Sequence, residues 1–292
     1  MHEPVLLKEI IEYLEPKPGD IVIDGTANGG GHARELLHRI MPGGTFIGIE
    51  WDEKLFEALE KDFEFGERKS NIILLRGNYK DIAMILKSKG ILGADKVLLD
   101  LGFSSFHIDQ SDRGFSFKKD EPLIMTYSKD QKPVWEWLNK LSESKLTKII
   151  REFGEERYAE RIARSIKKSL PITTSNKLRD VVMSAIPKRF GGKNRIHPAT
   201  RTFQALRIFA NQELENLKLF LESIPQVLNA HGRVAIISFH SLEDRLVKSE
   251  FRGLADKGGF KIVTKKPITA GEEEVLGNPR SRSAKLRVIE KI

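Results

Sequence analysis

Glycines and an acid stand directly after an apolar run near the start of this chain. Residues 21–23 are Ile-Val-Ile, Asp24 ends the run, and the loop that follows, 25–31, contains four glycines. A helical pattern of apolar residues then begins. Such a junction lies at the carboxyl end of a strand, where open parallel sheets bind ligands and where glycines let a ligand approach the backbone. The pattern favours a ligand-binding loop, with a tight turn that binds nothing as the alternative.

The spacing of these glycines argues against a phosphate-binding loop. A dinucleotide site has the pattern G-x-G-x-x-G, but position 27 is Ala. A P-loop needs Lys and then Ser or Thr after its last glycine, whereas His32 and Ala33 stand there. We therefore expect a ligand that has no phosphate group for this loop to hold.

Polar residues also end the next three predicted strands, where Glu50, Tyr79 and Asp100 stand. The acid at the second strand tip suits a pair of ribose hydroxyls, because a carboxylate accepts both hydrogen bonds. Tyr79 suits the face of an adenine ring, and Asp100 with the loop glycines suits an ammonium and a carboxylate. A ligand with ribose, adenine and an amino acid but no phosphate is S-adenosylmethionine.

Each of these residues also has an interpretation without a ligand. Glu50 and Asp52 suit the start of the following helix as caps. Tyr79 suits the core or its rim, and Asp100 suits a turn. His32 suits a local hydrogen bond, with any ligand contact made by its backbone. The agreement among the strand tips supports a ligand more strongly than any single residue does.

The elements that position these residues alternate between helices and apolar strands. This alternation predicts a parallel sheet covered by helices on both faces. Residues from about 112 to 212 show helical patterns. The last of these patterns is one continuous helical stretch that starts at 200 and runs on to 217. Strands resume at 232–241, 260–265 and 284–292. We therefore expect an α/β fold with a helical insertion.

The expected division of the chain has three parts. Residues 1–111 form the first part of the sheet domain, 112–212 the inserted helical domain, and 213–292 the second part of the sheet domain.

Length and composition predict a folded protein with a proper core. The 292 residues are 40% hydrophobic and 31% charged, which suits one large domain or one and a half. No apolar run of about 18 residues is present, and no secretion signal is evident. The absence of cysteine excludes disulfides and thiolate metal sites. We expect a cytoplasmic protein without a membrane partner, and no cluster of residues suggests a metal.

Two segments concentrate positive charge in a chain whose formal net charge is +8. Residues 185–211 and 278–287 contain basic residues but no acid. They suit the phosphates of RNA, and a solvated basic face is the alternative. The candidate RNA-binding residues are Arg195, Arg201, Arg207, Arg280 and Arg282.

The helical stretch that starts near residue 200 has two stripes. The stripe expected in the core consists of Phe203, Leu206, Ala210 and Leu214. The stripe expected to present polar groups to RNA or to the sheet edge consists of Arg201, Gln204, Arg207 and Asn211. Further on, Ser241 and Asp244 suit a capping box at the start of a helix, and His240 suits a structural hydrogen bond.

Eight segments of the chain are similar, in order, to those of one protein family. They are HEPVLL at 2–7, DGTANGGGH at 24–32, LDLGFSS at 99–105, RGFSF at 113–117, GEERYAERIA at 154–163, HPATRTFQALRI at 197–208, SFHSLEDR at 238–245 and NPRSRSAKLR at 278–287. Over nearly its whole length the chain therefore resembles the bacterial ribosomal RNA small-subunit methyltransferase H family (MraW/RsmH). The resemblance implies a Rossmann-like class I methyltransferase sheet with an inserted all-helical domain. It also implies methyl transfer from S-adenosylmethionine to the N4 amine of a cytidine in 16S rRNA of the small ribosomal subunit, near the ribosomal P site.

The resemblance also implies the cofactor contacts, which fall on Gly30, Gly31, His32, Glu50, Tyr79, Asp100 and His107. The chain departs from the family pattern in two segments and at Glu50, where Asp is commoner and the carboxylate is kept. Phe106 and His107 stand where the family usually reads SSPQLD, and His107 keeps a polar ring. Ile124 and Thr126 stand where it usually reads PLDMRM, so an acid and an arginine are lost.

The chemistry expected of this site is the alignment of a poor nucleophile. The lone pair of a cytosine N4 amine is delocalised into the ring, so positioning and hydrogen-bond acceptors must do most of the work. We expect the loop 100–105 to supply the acceptors, with the base turned out of its stack, and Asp100 is the candidate catalytic residue.

Three rival functions use the same features. A nicotinamide-dependent oxidoreductase fits the sheet but not the glycine spacing. A non-catalytic RNA-binding factor is left open by Ile124 and Thr126. A DNA cytosine methylase would have a Pro-Pro-aromatic loop after Asp100, and this chain does not.

Overall fold

The computed structural model of the protein describes residues 4–64, 71–187 and 197–292. The chain divides into two compact units: Met1–Gly102 with Leu214–Ile292, and Phe103–Glu213. The insertion expected at 112–212 falls inside the second unit, which begins earlier than expected. The reason is local, because the ring of Phe103 stacks on that of Phe115 at 6.1 Å between centroids. The loop after the fourth strand therefore packs with the helical unit.

The first unit is built on a seven-stranded sheet of order β3-β2-β1-β4-β5-β7-β6. Its strands are β1 (Ile21–Asp24), β2 (Thr45–Glu50), β3 (Ile72–Arg76), β4 (Ala94–Asp100), β5 (Leu228–Ser238), β6 (Phe260–Ile262) and β7 (Lys285–Lys291). The first five in sequence pair in parallel, whereas β7 is antiparallel to both β5 and β6. The predicted α/β fold is confirmed, and so are the strands expected in both halves of the chain.

The helices lie between the strands and throughout the second unit, and one stretch differs from the prediction. In chain order they are α1 (Leu7–Leu14), α2 (Gly31–Ile40), α3 (Glu53–Glu64), α4 (Ile82–Ser88), α5 (Ser105–Asp109), α6 (Val134–Lys140), α7 (Glu143–Gly154), α8 (Ala159–Lys168), α9 (Ser175–Ala185), α10 (Thr200–Asn211), α11 (Glu213–Val227), α12 (Ser241–Asp256) and α13 (Glu272–Gly277). The prediction of one continuous helix over 200–217 is wrong. Gln212 adopts a left-handed backbone with φ 53°, which ends α10 before α11 begins.

Helices cover both faces of the sheet. Successive strand residues point to opposite faces, so Leu98 packs with α1 and α2 on one side while Leu99 packs with α4, α11 and α12 on the other. Phe220 of α11 and Leu36 of α2 are among the fully buried residues of these two cores. Continuous apolar strands buried on both faces are what the sequence pattern predicted.

The second unit has a helical core of its own. The apolar faces of α6 to α10 meet there, with Leu138, Ile150, Ile162, Leu178 and Leu206 fully buried. Among the residues described in this unit, the β-pairing is one isolated bridge between Pro122 and Thr174. Throughout the described parts of the chain, each helix is too short or too polar to cross a membrane.

Candidate functional site

The glycine loop is tightly held at one end and open in the middle. The Gly25 N–H donates to Leu98 O at 2.9 Å, and a Cβ at Gly25 would overlap the Leu99 side chain. Gly30 has φ 76° and is the N-cap of α2. A Cβ at Gly29, in contrast, would meet no atom within 4 Å. The loop therefore exposes backbone to a ligand at Gly29 while the fold restrains it at Gly25 and Gly30.

The carboxyl ends of three adjacent strands carry acids, as the sequence predicted. Asp24, Glu50 and Asp100 are the last residues of β1, β2 and β4, and β1 lies between the other two. Thr26 links two of these tips: its N–H and Oγ1 donate to Asp24 Oδ1 at 3.0 and 3.3 Å, and its Oγ1 accepts from the Asp100 N–H at 2.6 Å. The sequence did not mark Thr26 as a site residue, because only the strand pairing brings Asp100 to it.

Among the three acids at the strand tips, Asp100 has the fewest hydrogen bonds to its carboxyl oxygens. Its Oδ1 is buried and has no hydrogen-bond partner among the described residues, and its Oδ2 lies 3.7 Å from His32 Nδ1. Burial raises the pKa of Asp100 well above its usual range, and the nearby Asp24 and Glu243 carboxyls raise it further. Burial therefore favours the protonated form of Asp100 in the free protein, and Oδ1 is an unused oxygen for a ligand.

The His32 side chain makes a structural hydrogen bond, but with a distant residue and not the local one that the sequence suggested. The ring is 6% exposed, and its Nε2 lies 2.9 Å from Val5 O. A carbonyl can only accept, so Nε2 carries a proton and donates it, which leaves Nδ1 turned towards Asp100. The same N-terminal segment covers the loop at Pro4, which a Cβ on Gly31 would approach to 3.3 Å. His32 thus ties the segment around Val5 to the strand tip.

Glu50 and Asp52 have different roles, and only one of them is a cap. Asp52 Oδ1 accepts from the N–H groups of Lys54 and Leu55 at 2.9 and 3.3 Å and so caps α3. Glu50 holds the glycine loop, since Oε2 accepts from Asn28 N–H at 2.9 Å and Oε1 from Asp52 N–H at 2.7 Å.

The Glu50 carboxyl is buried, and its pKa reflects that burial. Loss of solvent raises the pKa of Glu50 to about 7, although hydrogen bonds from backbone N–H groups oppose the rise. A carboxylate has about four lone-pair sites. Capacity for a ligand hydroxyl therefore remains beside the bonds that hold the loop.

The tip of β3 carries Tyr79 and a second polar residue. The Tyr79 ring is half-buried and meets Phe220 edge-on at 6.0 Å, so one edge belongs to the core. Asn78 Oδ1 accepts from the Lys80 N–H at 3.1 Å, while its buried Nδ2 has no partner among the described residues. Asn78 is a candidate ligand contact that the sequence reasoning passed over, although its place after the third strand could have revealed it.

His107 lies in the second unit, in α5. Its Nδ1 accepts from the Ser104 N–H at 3.1 Å, so the proton of a neutral ring is on Nε2. The ring packs against Phe115 and Tyr127, with centroids 5.0 and 5.1 Å away. The departure from the family pattern at His107 is therefore accommodated by an aromatic cluster, and its cofactor contact stays a prediction.

The candidate RNA-binding arginines differ in their surroundings. Arg195 lies outside the described residues. Arg201 is exposed, and its Nη1 donates to Glu155 O at 3.1 Å. In the 3-10 turn Pro279–Ser283, Arg282 is exposed and Arg280 is half-buried. Arg201 and Arg282 are thus exposed, and their contact with RNA stays a prediction.

Arg207 is placed differently, which corrects the interpretation of its stripe. It is 7% exposed, and Nε and Nη2 donate to Glu213 Oε1 and Oε2 at 2.9 and 3.0 Å. Its guanidinium also lies 4.5 Å from the centroid of the Phe103 ring. Asn211 is fully buried and donates to Met125 O at 2.8 Å. Half of the polar stripe therefore faces the interior of the second unit, and Arg207 stabilises that unit instead of facing outward.

The capping box at the start of α12 is shifted by one residue from the prediction. His240, not Ser241, is the N-cap: Nδ1 accepts from the Glu243 N–H at 3.4 Å, and Glu243 Oε2 accepts from the His240 N–H at 3.3 Å. Asp244 instead pairs with Arg287, with Oδ1 and Nε 2.6 Å apart. The structural hydrogen bond expected of His240 is present.

Comparisons with known proteins identify the family of this chain. The MraW methylase family matches residues 1–292. The chain belongs to the MraW methylase family. Among its relatives, the ribosomal RNA small subunit methyltransferase H of Geobacter sp. strain M21 is 44% identical over 311 residues, which cover 100% of this chain and 98% of the relative. The protein of the same name from Thermotoga neapolitana is 44% identical over 293 residues, covering 99% and 95%.

The solved structure of the protein PH0851 is similar to this MraW family member in fold alone. Its TM-score is 0.50 at 16% identity, and the alignment covers 100% of this chain and 46% of that one. The seven-stranded sheet with an antiparallel β7 is the Rossmann-like class I methyltransferase architecture that the resemblance implied.

Proposed function

We propose that this chain is an S-adenosylmethionine-dependent methyltransferase that acts on the N4 amine of a cytidine in 16S rRNA, near the ribosomal P site. Its membership in the MraW methylase family supports the reaction. The single structural feature that supports it best is the buried, unpartnered Oδ1 of Asp100, at the sheet edge beside the glycine loop. The expected partner is the small ribosomal subunit, and the expected place of action is the cytoplasm.

The residues at the strand tips fit S-adenosylmethionine. Asp100 offers an unused acceptor, Asn78 an unused donor, and Gly29 open space beside the backbone. The proposed contacts are the backbone of Gly30, Gly31 and His32, together with Glu50, Tyr79, Asp100 and His107. When bound, the cofactor supplies an electrophilic methyl group.

The task of the protein is to position a weak nucleophile and to manage its protons. A cytosine N4 amine needs acceptors for its hydrogens and alignment with the methyl group. Holding both reactants in one site makes the bimolecular reaction effectively unimolecular. The Oδ1 of Asp100 can accept a hydrogen bond in either form, but Asp100 can take up a proton from the amine only after it has lost its own. His32 Nδ1, 3.7 Å from Oδ2, is the neighbouring base that can take that proton. Thr26 holds the Asp100 backbone while this happens.

The experiment measures methyl transfer from S-adenosylmethionine with an isotope-labelled methyl group. The substrates are small ribosomal subunits that lack the modification and naked 16S rRNA, and the products are digested to nucleosides. We expect labelled N4-methylcytidine. Label in another nucleoside would disprove the N4 assignment, and no transfer to either substrate would disprove the reaction.

The variant Asp100→Asn tests the catalytic role separately. Because an amide cannot take up a proton from the amine as a carboxylate does, we expect the rate to fall by about 100-fold or more, the usual scale for loss of a proton acceptor. Cofactor affinity is measured by calorimetry on the same variant. Near wild-type transfer with unchanged cofactor affinity would show that Asp100 has no catalytic role.

A further inference from the structure

The segment GEERYAERIA at 154–163 has no role in the cofactor site. In the structure it forms the end of α7, a turn and the start of α8. Its apolar residues Ala159 and Ile162 are fully buried in the core of the second unit. Its arginines, in contrast, are exposed, so burial of the apolar face does not account for them.

A row of four cations runs along the exposed side of α8. Arg161, Arg164 and Lys168 are exposed at spacings of three and four residues, which places them on one face of the helix. Arg157 continues the row into the preceding turn, where its guanidinium lies 4.7 Å from the centroid of the Tyr158 ring. From Arg161 to Lys168 the helix rises about 10 Å, at 1.5 Å per residue. We call these four residues the α8 row.

Two of the acids near the α8 row are already paired with cations. Glu160 Oε1 is 2.7 Å from Arg151 Nη2, and Glu143 Oε1 is 3.4 Å from Arg164 Nε. Within the described ranges, the side chains of Arg161 and Lys168 have no carboxylate within 4.0 Å. The row therefore keeps an excess of positive charge that the protein does not neutralise.

Arg201 extends the same surface. The close approach of α10 to the end of α7 is built in, because a Cβ on Gly154 would lie 2.6 Å from Arg201 O. The Arg201 side chain then reaches Glu155 O at 3.1 Å, two residues before Arg157. The first turn of α10 thus places a fifth cation beside the turn that starts the α8 row.

We propose that the α8 row, together with Arg201, binds the sugar-phosphate backbone of the substrate RNA. This proposal rests on the proposed function for the identity of the polyanion. The row offers cations at regular spacing, and no exposed apolar side chain interrupts it. A protein partner would be expected to meet a surface rich in aromatic residues and poor in lysine. A regularly spaced row of cations instead suits the phosphates of a nucleic-acid backbone.

The test compares two variants that each lose three positive charges. One is Arg157→Gln, Arg161→Gln, Lys168→Gln. The control is Lys248→Gln, Arg252→Gln, Lys257→Gln, which removes exposed cations on α12 and the turn after it. Binding of a 16S rRNA transcript and of unmodified small subunits is measured from 50 to 200 mM salt.

For the α8 variant we expect the slope of log affinity against log salt to become shallower by about 2, because each lost contact with a single strand contributes about 0.7. Over a fourfold change in salt this is a difference of about 16-fold in the loss of affinity. The KM for RNA should rise, while kcat and the affinity for S-adenosylmethionine stay unchanged. The control should keep the wild-type slope.

The outcomes separate this proposal from the proposed function. If the α8 variant keeps the wild-type slope, or if the control changes it equally, the α8 row is not the contact surface. If neither the wild type nor the variants transfer a methyl group but the salt slope still differs between the two variants, the α8 row binds RNA and the proposed reaction is wrong. Far-UV circular dichroism of both variants excludes unfolding as the cause.

Discussion

The buried carboxyl of Asp24 gives the most direct test of the electrostatics at the strand tips. Asp24 is 1% exposed, and Thr26 supplies its hydrogen bonds. Burial raises the pKa of Asp24 from 3.8 to about 7, although the bonds from Thr26 oppose the rise. The variant Asp24→Asn keeps an oxygen that can accept from Thr26 but removes the ionisable group.

The expected effect follows from the sign of this shift. Because the folded pKa lies above the unfolded one, the folded state holds more protons between about pH 4 and pH 7, so the free energy of unfolding falls as pH rises through this window. The shift of about 3 pKa units, at about 1.4 kcal/mol each, corresponds to about 4 kcal/mol. The free energy of unfolding of Asp24→Asn minus that of wild type should therefore increase by about 4 kcal/mol between pH 4 and pH 8.

The assay must report on the unit that contains Asp24. Trp51 belongs to that unit, whereas Trp135 and Trp137 belong to the second unit. Urea unfolding is therefore followed by Trp51 fluorescence in a Trp135→Phe, Trp137→Phe background, without cofactor, from pH 4 to pH 8. Asp256→Asn removes an exposed acid and is the control.

Two results would contradict this reasoning. If Asp24→Asn and its parent show parallel dependences of unfolding free energy on pH, Asp24 does not titrate in the window expected from its burial. If the control reproduces the gain of Asp24→Asn at high pH, the effect arises from net charge and not from the buried site.

Two further predictions concern packing. Gly25→Ala should destabilise the protein by about 1–3 kcal/mol, because its Cβ would overlap the Leu99 side chain. The control Gly29→Ala places its Cβ in open space and should leave urea unfolding unchanged. Equal losses of stability in the two variants would contradict the close approach of Gly25 to Leu99. Arg207→Met should cost about 3–5 kcal/mol in urea unfolding, because it removes the cation paired with the largely buried Glu213 carboxylate, which then keeps the Tyr127 hydroxyl as a donor. Arg207→Met with Glu213→Gln should recover part of this loss, and an additive double variant would show that the pair is not coupled.

The strand tips were predictable from the sequence because they depend on local pattern. Apolar runs that end at Asp24, Glu50 and Asp100 identify strands and their carboxyl ends, and parallel pairing brings such ends to one edge. The absence of phosphate motifs in the loop was equally local. The sheet, its acids and the helical unit could therefore be expected before any coordinates.

The remaining features depend on contacts between distant residues or on one torsion. The left-handed backbone of Gln212 breaks a helical stripe that continues in sequence. Arg207 faces inward because Glu213 follows that break and accepts its two hydrogen bonds. His32 contacts Val5, which lies 27 positions away in the chain. Periodicity carries no signal for such pairs, so the orientation of a stripe is predicted less well than its existence.

The acidity of the sheet edge bears on the charge of the ligand. Asp24 and Glu50 have pKa values of about 7, and that of Asp100 lies well above its usual range. An amide at any of these positions would avoid the cost of burying an ionisable acid, so stability alone does not account for three carboxyls. A positively charged ligand would favour their ionised forms and gain from them, whereas a phosphate would favour the neutral forms and gain no such attraction. The electrostatics of the edge and the spacing of the glycines thus argue against the same class of ligand for independent reasons.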